Sequence, residues 1–235
     1  MPPQRFIAKL EDKTIQSTKF TQFKFELVEP YRLDFLAGQY VSFKVSESGD
    51  RRSYSICSSP DIKHGFELLV EILPDGLGSQ YLNTLPFGSQ VEILAPMGMF
   101  TLEKAPVATE YIFVATGSGV APYFSMLQEL LQVQHDTRPI TLYWGLRYGE
   151  EMCWQDEFSL LAEAFENFTF HPVLSRPGEG WPLCSGRVTD CLSVHHISTE
   201  ADFFLCGNKT MIADMTELLS QKGVVKTHIH TEQFN

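Results

Sequence analysis

Hydrophobic residues follow two different periods along this chain, and one replaces the other near residue 105. Before that point apolar and polar residues alternate, as they do across 22–27 and 41–45. Alternation is typical of half-buried antiparallel strands, whereas unbroken apolar runs separated by amphipathic helices indicate parallel strands buried on both faces. Four such runs follow residue 105: Tyr111–Ala115, Ile140–Trp144, Phe168–Leu174 and Phe203–Cys206. The chain is therefore predicted to fold as two unlike domains.

The first domain is predicted to span 1–104 and the second 110–235. Short strands separated by turn signals favour an antiparallel barrel or sandwich in the first, with one short helix near Ser79–Leu85. The second is predicted to be an α/β domain on a parallel sheet, ending in a strand at Thr227–Glu232. Its predicted helices carry apolar stripes within 124–131, 154–165 and 211–218.

Composition restricts the classes of protein to which the 235 residues can belong. Apolar residues make up 43% and charged residues 20%, as in an ordinary globular protein. No apolar run approaches the ~20 residues of a membrane span, and the N-terminus lacks the apolar core of a signal peptide, so a cytoplasmic location is expected. The net charge is −11, and residues 105–235 hold 7 Lys and Arg against 16 Asp and Glu. Such an acidic chain is a poor candidate for binding nucleic acid or an anionic membrane.

The cysteines and histidines predict no metal site. The five cysteines, at 57, 153, 184, 191 and 206, are odd in number and lack C-x-x-C spacing. Neither a disulfide framework nor a zinc site is therefore predicted, and the spacing of a plant-type iron–sulfur centre is absent. His228 and His230, like His195 and His196, are interpreted as partly exposed side chains, because the sequence places no third ligand nearby.

The stretch Arg51–Pro60 places a cation, an aromatic ring and hydroxyls in one predicted strand. Arg52 offers a guanidinium that can hold a phosphate by two hydrogen bonds. Tyr54 lies on the same side of the strand and offers a flat amphipathic ring, beside the small donor and acceptor Ser55. A flavin dinucleotide, with its diphosphate and planar ring system, satisfies all three. On this stretch alone, an edge strand with solvated arginines and a half-buried tyrosine explains the pattern equally well.

Two glycine-containing turns come before predicted helices. Ala115–Pro122 follows an apolar strand, and its glycines let the backbone approach a diphosphate at a helix N-terminus. A standard dinucleotide fingerprint would have its third glycine where Pro122 stands, so this is a different loop. Gly76–Ser79 offers a second set of amides for a phosphate, or a simple turn with Ser79 as the helix N-cap.

Arginines follow successive strands of the predicted parallel sheet. Arg147 ends the second strand, where an NAD-binding unit would have an acidic residue for the ribose. Ser175-Arg176 and Gly186-Arg187 come after the third strand. Because the domain is acidic and has only four arginines, three of them at strand ends favour a shared anionic ligand over solvated surface side chains.

In this order, the motifs resemble those of the ferredoxin–NADP⁺ reductase family, flavoproteins in which a Greek-key β-barrel that binds FAD precedes a pyridine-nucleotide domain. The resemblance extends over nearly the whole chain. It is carried by Gly38-Gln39-Tyr40, Arg52-x-Tyr54-Ser55, Gly78-Ser79, Pro96-x-Gly98-x-Phe100, Thr116-Gly117-x-Gly119-x-Ala121-Pro122, Cys206-Gly207 and Glu232-x-Phe234.

For the first domain, the resemblance implies an FAD site. Arg52 would hold the diphosphate, Tyr54 would stack on the isoalloxazine, and Ser55 would lie near flavin N5. Gly78 and Ser79 would contact the diphosphate. The other FAD-binding residues that the resemblance implies are Ser53, Leu69 and Phe234. Phe234, followed by Asn235, stands where the family often ends in a tyrosine or tryptophan that covers the flavin.

For the second domain, the resemblance implies a nicotinamide dinucleotide site. Cys206 would lie beside the nicotinamide and Glu232 near the hydride path, which makes these two and Ser55 the implied catalytic residues. The dinucleotide would be held by Thr116, Gly117, Gly119 and Pro122. The residues similar to a set that binds the 2′-phosphate of NADPH are Arg147, Ser175, Arg176 and Arg187. NADH stays an alternative, because branches that prefer it can carry an arginine like Arg147.

The function that the resemblance implies is an FAD-dependent NAD(P)H oxidoreductase. It would pass hydride from NAD(P)H to FAD and then single electrons to an external acceptor such as a ferredoxin or flavodoxin. Two alternatives stay open: an NAD(P)H:flavin reductase that uses diffusible flavin, and a nucleotide-binding electron-transfer subunit that is active only in a larger complex. Residues 1–25 carry five Lys and Arg against two acidic residues, so we expect an acidic acceptor to dock there.

Overall fold

The computed structural model describes Pro2–Phe234 and separates the chain into two units. The first unit comprises the residues up to Leu102 together with Ala121–Gln134. The second comprises Glu103–Val120 and the residues from His135 onward. The predicted single boundary near 105 does not describe this grouping. Residues 121–134 come after the first strand of the second unit in sequence, but they pack with the first unit. The assignment of 1–104 and 110–235 as the two ligand-binding domains stays a prediction.

Six antiparallel strands of the first unit form a barrel. They are β1 (Gln4–Ile15), β2 (Phe20–Glu29), β3 (Tyr40–Lys44), β4 (Arg51–Ser55), β5 (Gly65–Glu71) and β6 (Gln90–Met97). In the sheet they follow the order β4-β3-β6-β1-β2-β5. An antiparallel bridge between Ile56, directly after β4, and Leu68 of β5 joins the two edge strands. The predicted antiparallel barrel is confirmed.

The inner face of the barrel follows the period-two pattern of the sequence. Phe23, Phe25 and Leu27 of β2 are all buried in one core cluster. The ring centroid of Phe25 lies 5.3 Å from that of Phe66 in β5 and 5.2 Å from that of Phe43 in β3. Burying each large apolar side chain stabilises the fold by ~1.5–3 kcal/mol, so this face determines the register of the sheet.

Helix α1 (Leu77–Thr84) of the first unit begins two residues before the predicted one. Gly76 is its N-cap, so the interpretation of Ser79 as the N-cap was wrong. The Ser79 hydroxyl instead accepts a hydrogen bond from the backbone N–H of Leu73 at 3.1 Å. This hydrogen bond closes the turn that leads into α1. Its two partners are six residues apart, beyond the N-cap spacing that the sequence suggested.

A parallel sheet of six strands forms the second unit. Its strands are β7 (Tyr111–Thr116), β8 (Ile140–Leu146), β9 (Phe168–Leu174), β10 (Cys184–Ser185), β11 (Asp202–Asn208) and β12 (Ile229–Phe234). Their order is β10-β9-β8-β7-β11-β12, and every neighbouring pair is parallel. The predicted α/β fold is confirmed. The short strand β10 was not predicted, and the last strand begins two residues later than expected.

Helices join the parallel strands. They are α2 (Ala121–Leu127), which continues as a π-helical segment over Gln128–Val133, α3 (Gln155–Ala164), α4 (Val188–Val194) and α5 (Lys209–Gln221). Helix α4 was not predicted. Gly223 follows α5 with a φ of 90°, as expected for the glycine that ends a helix. No helix within residues 2–234 is both long enough and apolar enough to cross a bilayer.

Helix α2 is bound to the segment that follows β4. The Ser125 hydroxyl donates to the carbonyl oxygen of Ser58 at 2.7 Å, and the Gln128 side-chain amide donates to that of Cys57 at 2.9 Å. The first bond is buried and the second is partly buried, and a buried carbonyl left unpaired would cost ~1–3 kcal/mol. These contacts explain why 121–134 belongs to the first unit.

Cys184 and Cys191 form a disulfide, contrary to the expectation that the cysteines are not paired. Cys184 opens β10 and Cys191 lies on α4, which brings their Cα atoms to 5.9 Å. This separation is within the range that disulfides span. The pairing depends on the turn between β10 and α4, neither of which the sequence pattern predicted.

The surroundings of Gly38 leave no room for a side chain. Its φ is 96°, and a Cβ built there would lie 2.0 Å from the carbonyl oxygen of Phe100 and 2.5 Å from the Met126 methyl. Gly49 has nearly the same φ, 94°, but nothing within 4 Å of its Cβ position. Substitutions at the two positions would cause the same backbone strain, but only a substitution at Gly38 would also disturb close packing.

We expect Gly38→Ala to destabilise the first unit by at least ~2 kcal/mol more than Gly49→Ala. Both variants incur the ~1–2 kcal/mol cost of a left-handed residue with a Cβ, but only the first also collides with the backbone. Urea unfolding followed by far-UV circular dichroism measures the difference. Equal midpoints for the two variants would contradict the close packing of Phe100 on Gly38.

Candidate functional site

Strand β4 presents the predicted cation and ring at the edge of the barrel sheet. Arg52 is exposed and pairs in register with Phe43, and Tyr54 pairs with Val41. The Tyr54 ring is half-buried and lies edge-on to Phe43 with the centroids 6.0 Å apart. Burial raises the pKa of Tyr54 to about 12, against a smaller opposite effect of the Arg52 charge, so its hydroxyl stays protonated at neutral pH.

The first turn of α1 lies directly against these two side chains. A Cβ on Gly78 would lie 2.3 Å from the Tyr54 hydroxyl oxygen and 2.7 Å from Cγ of Arg52. Only glycine fits, and its backbone approaches both side chains. The first turn of α1 contains no acidic residue, so its N–H groups favour a negative charge there. The exposed Arg52, whose guanidinium donates to the carbonyl oxygen of Arg51 at 2.7 Å, adds a positive charge on the neighbouring strand. The arrangement suits a diphosphate next to a planar ring.

The other predicted residues of the first unit lie near this region. Ser53 is exposed on β4, and Ser55 is buried at the end of the strand. Leu69 is buried but is absent from the barrel's core cluster, which contains its neighbours Leu68 and Val70. Ser55 and Leu69 are each one residue away from the bridge between Ile56 and Leu68. The closure of the barrel therefore brings these two predicted residues to the same place.

The glycine-rich loop of the second unit lies where the strand order reverses. After β7 the chain continues to β8 on one side, whereas β11 lies on the other. In open α/β sheets, ligands bind outside the carboxyl ends of the strands at such a point. Gly117–Val120 forms a 3₁₀ turn there, and the Trp144 indole N–H donates to the carbonyl oxygen of Gly117 at 2.9 Å.

Two glycines let the ends of β7 and β11 approach each other closely. A Cβ on Gly119 would lie 2.2 Å from the carbonyl oxygen of Cys206, and one on Gly207 would lie 2.2 Å from the Thr116 hydroxyl. The Thr116 hydroxyl also accepts hydrogen bonds from the backbone and the side-chain amide of Asn208, at 3.4 and 3.3 Å. The predicted residues Thr116, Gly119 and Cys206 thus come together at the switch point.

Cys206 and Glu232 are cross-strand partners. The register of β11 and β12 pairs Cys206 with Glu232 and Asn208 with Phe234. Cys206 is completely buried, and burial, with a smaller effect of the Glu232 charge, raises the pKa of its thiol well above the ordinary value. The thiol is therefore protonated at neutral pH. Phe234 is half-buried on the terminal strand.

The predicted arginines of the second unit lie at the carboxyl ends of three neighbouring strands. The backbone N–H of Arg176 donates to the carbonyl oxygen of Arg147 at 2.8 Å, and Ser175 donates to that of Leu146 at 2.9 Å. Both arginines are exposed, and a guanidinium N–H of Arg176 donates to the Tyr148 hydroxyl at 3.0 Å. Arg187, the N-cap of α4, is exposed and lies 3.3 Å from an Asp214 carboxylate oxygen.

The structure gives His228 and His230 a partner that sequence reasoning missed. Asp202 is buried at the start of β11, and its carboxylate oxygens lie 2.8 Å from Nε2 of His230 and 3.2 Å from Nδ1 of His228. The His230 ring also contacts Phe204, its cross-strand neighbour. An aspartate at the start of an apolar run was the available signal. The three side chains bind the terminal strand, and with it Glu232, to β11.

Comparison with known proteins assigns most of the chain to two domain families. Residues 7–102 match the oxidoreductase FAD-binding domain, and residues 113–217 match the oxidoreductase NAD-binding domain. Ferredoxin–NADP reductase B of Sorangium cellulosum is 30% identical over 226 residues, which cover 91% of this chain and 91% of that protein. The chain belongs to the ferredoxin–NADP⁺ reductase family.

Two further similarities define how far this membership extends. The anthranilate 1,2-dioxygenase electron transfer component of Acinetobacter baylyi is 31% identical over 205 residues, but the match covers 86% of this chain and only 59% of that relative. A ferredoxin NADP⁺ reductase structure from Neisseria gonorrhoeae, with bound FAD and NADP, has a TM-score of 0.82 at 24% identity, covering 99% of both chains. The likeness to the Neisseria gonorrhoeae structure establishes the fold. FAD and a nicotinamide dinucleotide are thus the cofactors of the family domains that the chain contains.

Proposed function

We propose that this chain is an FAD-dependent NAD(P)H oxidoreductase that passes electrons on to an external acceptor. The observation that carries the proposal is the close approach of Gly78 to both Arg52 and Tyr54. It brings a helix N-terminus next to an arginine side chain and a half-exposed aromatic ring, which carry the groups that a flavin dinucleotide needs. When bound, FAD supplies a ring that accepts hydride from reduced nicotinamide and releases its electrons singly.

In this proposal the first unit retains the flavin. Arg52 and the first-turn amides of α1 bind the diphosphate, with Gly78 as the point of closest backbone approach. Tyr54 stacks on the ring system, and its protonated hydroxyl remains a hydrogen-bond donor. Ser55 and Leu69 contact the ring region from the place where the barrel closes, and Ser53 and Ser79 complete the set. Phe234 is proposed as the aromatic residue that covers the flavin.

The second unit binds and orients the nicotinamide dinucleotide. Thr116, Gly117 and Gly119 of this unit are proposed to hold it at the switch point of the parallel sheet, and Pro122, in the first turn of α2, is proposed to join them. Cys206 lies there as a protonated thiol, so it orients the nicotinamide without exchanging a proton. Glu232, its cross-strand partner, sets the charge next to the thiol. The rate then depends on orientation and electrostatics more than on acid–base chemistry.

The preferred nucleotide is proposed to be NADPH, with NADH as the alternative. Three exposed arginines follow the carboxyl ends of three adjacent strands: Arg147, Arg176 and Arg187. Ser175 lies next to the second of them. Their guanidinium groups suit the 2′-phosphate, which NADH lacks. A cytoplasmic location, where this nucleotide would be available, also remains a prediction.

A ferredoxin-type protein is the proposed acceptor, with a flavodoxin as the alternative. The name of one relative contains ferredoxin, and another is the electron transfer component of a dioxygenase. Residues 1–25 were predicted to bind it, but in the structure Lys9 pairs with Glu26 at 2.6 Å and the Lys13 ammonium donates to the carbonyl oxygens of Asn83 and Leu85. The Glu26 carboxylate offsets the charge of Lys9, whereas the neutral carbonyl oxygens leave the charge of Lys13 in place. The proposed docking therefore rests on the exposure that basic side chains of this segment keep, 67% for Arg5 and 54% for Lys24.

The purified chain is expected to be yellow and to be bleached by NADPH under anaerobic conditions. Tyr54→Ala should bind FAD about fivefold more weakly, because an aromatic stacking contact is worth ~1 kcal/mol, whereas Tyr54→Phe should retain it. Cys206→Ala should keep normal FAD content but bleach more slowly. Absorbance spectra and stopped-flow bleaching measure both quantities.

Other outcomes of this experiment would indicate the alternative functions. A colourless protein that accelerates the reduction of added riboflavin would be a reductase of diffusible flavin. A chain that neither binds flavin nor oxidises nucleotide would be a subunit of a larger complex. Either result would overturn the proposal, and an unchanged bleaching rate in Cys206→Ala would remove the role proposed for that thiol.

Arg147→Ala and Arg176→Ala are each expected to raise the KM for NADPH by about tenfold or more and to leave that for NADH nearly unchanged. A charge-assisted hydrogen bond to phosphate is worth ~1.5–3 kcal/mol, and only NADPH has the phosphate. Arg32→Ala, which removes an exposed arginine paired with Asp34 in the first unit, is the matched control. Equal losses with both nucleotides would contradict the assignment.

Replacing Lys9 and Lys13 with glutamate is expected to slow electron transfer to oxidised ferredoxin and to reduce the dependence of that rate on salt. Lys209→Glu with Lys226→Glu makes the same change in net charge on the second unit and serves as the control. The rate of NADPH-dependent cytochrome c reduction through ferredoxin is the readout. If both pairs behave alike, the acceptor does not dock on residues 1–25.

A further inference from the structure

A second cluster of chemically reactive side chains lies in the second unit, on β10 and α4. Cys184, Cys191 and His195 each offer one ligand atom, and these three atoms all lie within 4.8 Å of one another. Among residues 2–234 this is the one group of three or more cysteine, histidine or acidic side chains that meets this criterion for a metal site. Neither the predicted flavin site nor the predicted nucleotide site uses any of the three.

We propose that Cys184, Cys191 and His195 form a zinc site when the two cysteines are reduced. Thiolate and imidazole are the ligands that Zn²⁺ prefers, and three protein ligands leave the fourth tetrahedral position for water. Cys184 and His195 are half-buried, so an ion reaches them from solvent, while Cys191 is buried. This proposal does not depend on the proposed reductase activity.

The backbone holds the three ligands in a suitable arrangement. Cys191 and His195 are four residues apart across α4 and its C-cap, so they lie on the same face of the helix. Cys184 is held opposite by strand β10, through its register with Val173 of β9. With Zn–S bonds of ~2.3 Å, a tetrahedral site needs the sulfur atoms ~3.8 Å apart, which side-chain rotation provides once the disulfide is open.

A neighbouring tyrosine orients the histidine. The Tyr143 hydroxyl lies 2.8 Å from Nδ1 of His195, and the pKa of Tyr143 is raised to about 12 by burial. The rings of Tyr143 and His171 pack against the imidazole, with centroids 5.6 and 5.1 Å away. A zinc-bound histidine almost always donates its other ring N–H to an oxygen acceptor, a place that the Tyr143 hydroxyl takes here. Nδ1–H then donates to the Tyr143 oxygen, and Nε2 is the proposed ligand atom.

The disulfide and the metal exclude each other. A dithiol reductant gives two electrons and two protons to the Cys184–Cys191 disulfide and becomes a disulfide itself, leaving two thiols. Zn²⁺ then displaces one proton from each thiol and binds both thiolates together with the neutral imidazole. Oxidation of the two thiols by a second disulfide compound reverses the sequence and releases the ion. The site is therefore expected to hold zinc only in the reduced protein.

The test uses the whole chain in two redox states. One sample is reduced with a dithiol and the other keeps its disulfide; both are dialysed against excess Zn²⁺ and then against buffer without metal, in the absence of oxygen. Elemental analysis is expected to find one zinc per reduced chain and at least tenfold less in the oxidised chain. Bound zinc should also protect Cys184 and Cys191 from alkylation, as mapped by mass spectrometry.

Variants identify the ligands. Cys184→Ala and His195→Gln are expected to lose the retained zinc, whereas the matched controls Cys153→Ala and His196→Gln keep it. Tyr143→Phe should weaken zinc binding by ~10–100-fold without abolishing it, which marks Tyr143 as a positioning residue. The proposal is overturned if the reduced chain retains no zinc, if the oxidised chain retains as much, or if Cys184→Ala binds like the unaltered protein. The comparison of the two redox states stands even if a variant does not fold.

Discussion

The backbone of Ile56–Ser58 is the connection on which the first unit depends. Ile56 bridges to Leu68 and so joins the two edge strands of the barrel. Cys57 and Ser58 then accept hydrogen bonds from Gln128 and Ser125, which attach helix α2. Because this segment directly follows Arg52–Ser55, the same contacts that close the barrel also determine where the proposed flavin-binding side chains lie.

A different constraint organises the second unit. The strand order reverses between β7 and β11, and the ends of these two strands approach so closely that Gly119 and Gly207 have no room for a Cβ. The space that glycine leaves allows Thr116 and Asn208 to connect the strands by hydrogen bonds. The buried thiol of Cys206 and the terminal strand with Glu232 are positioned by this contact, supported by the pairing of Asp202 with His228 and His230.

Local patterns predicted most of the architecture. Alternating residues such as Phe23 and Phe25 indicated which strand face is buried, and unbroken runs such as Tyr111–Ala115 indicated a parallel sheet. The elements that the patterns missed are short: β10 has two residues and α4 has seven. Seven residues make less than two helical turns, and two residues make a single alternation of a strand. Neither is long enough for a period in the sequence to be recognised. The Cys184–Cys191 disulfide was missed for the same reason.

The candidate site divides in the same way. By itself the sequence determined which residue types follow each strand: the arginine and tyrosine of β4, the glycines after β7, and the arginines after β8 and β9. Which residue follows a strand is a local property, because it depends only on how far that residue lies from the apolar run in the sequence. Only the tertiary structure decided that Gly78 contacts Tyr54, that Asp202 binds His230, that helix α2 belongs with the barrel, and that His195 meets two sulfur atoms. Such contacts join residues far apart in the chain, and their partners are selected by packing and hydrogen bonding, which no local pattern records.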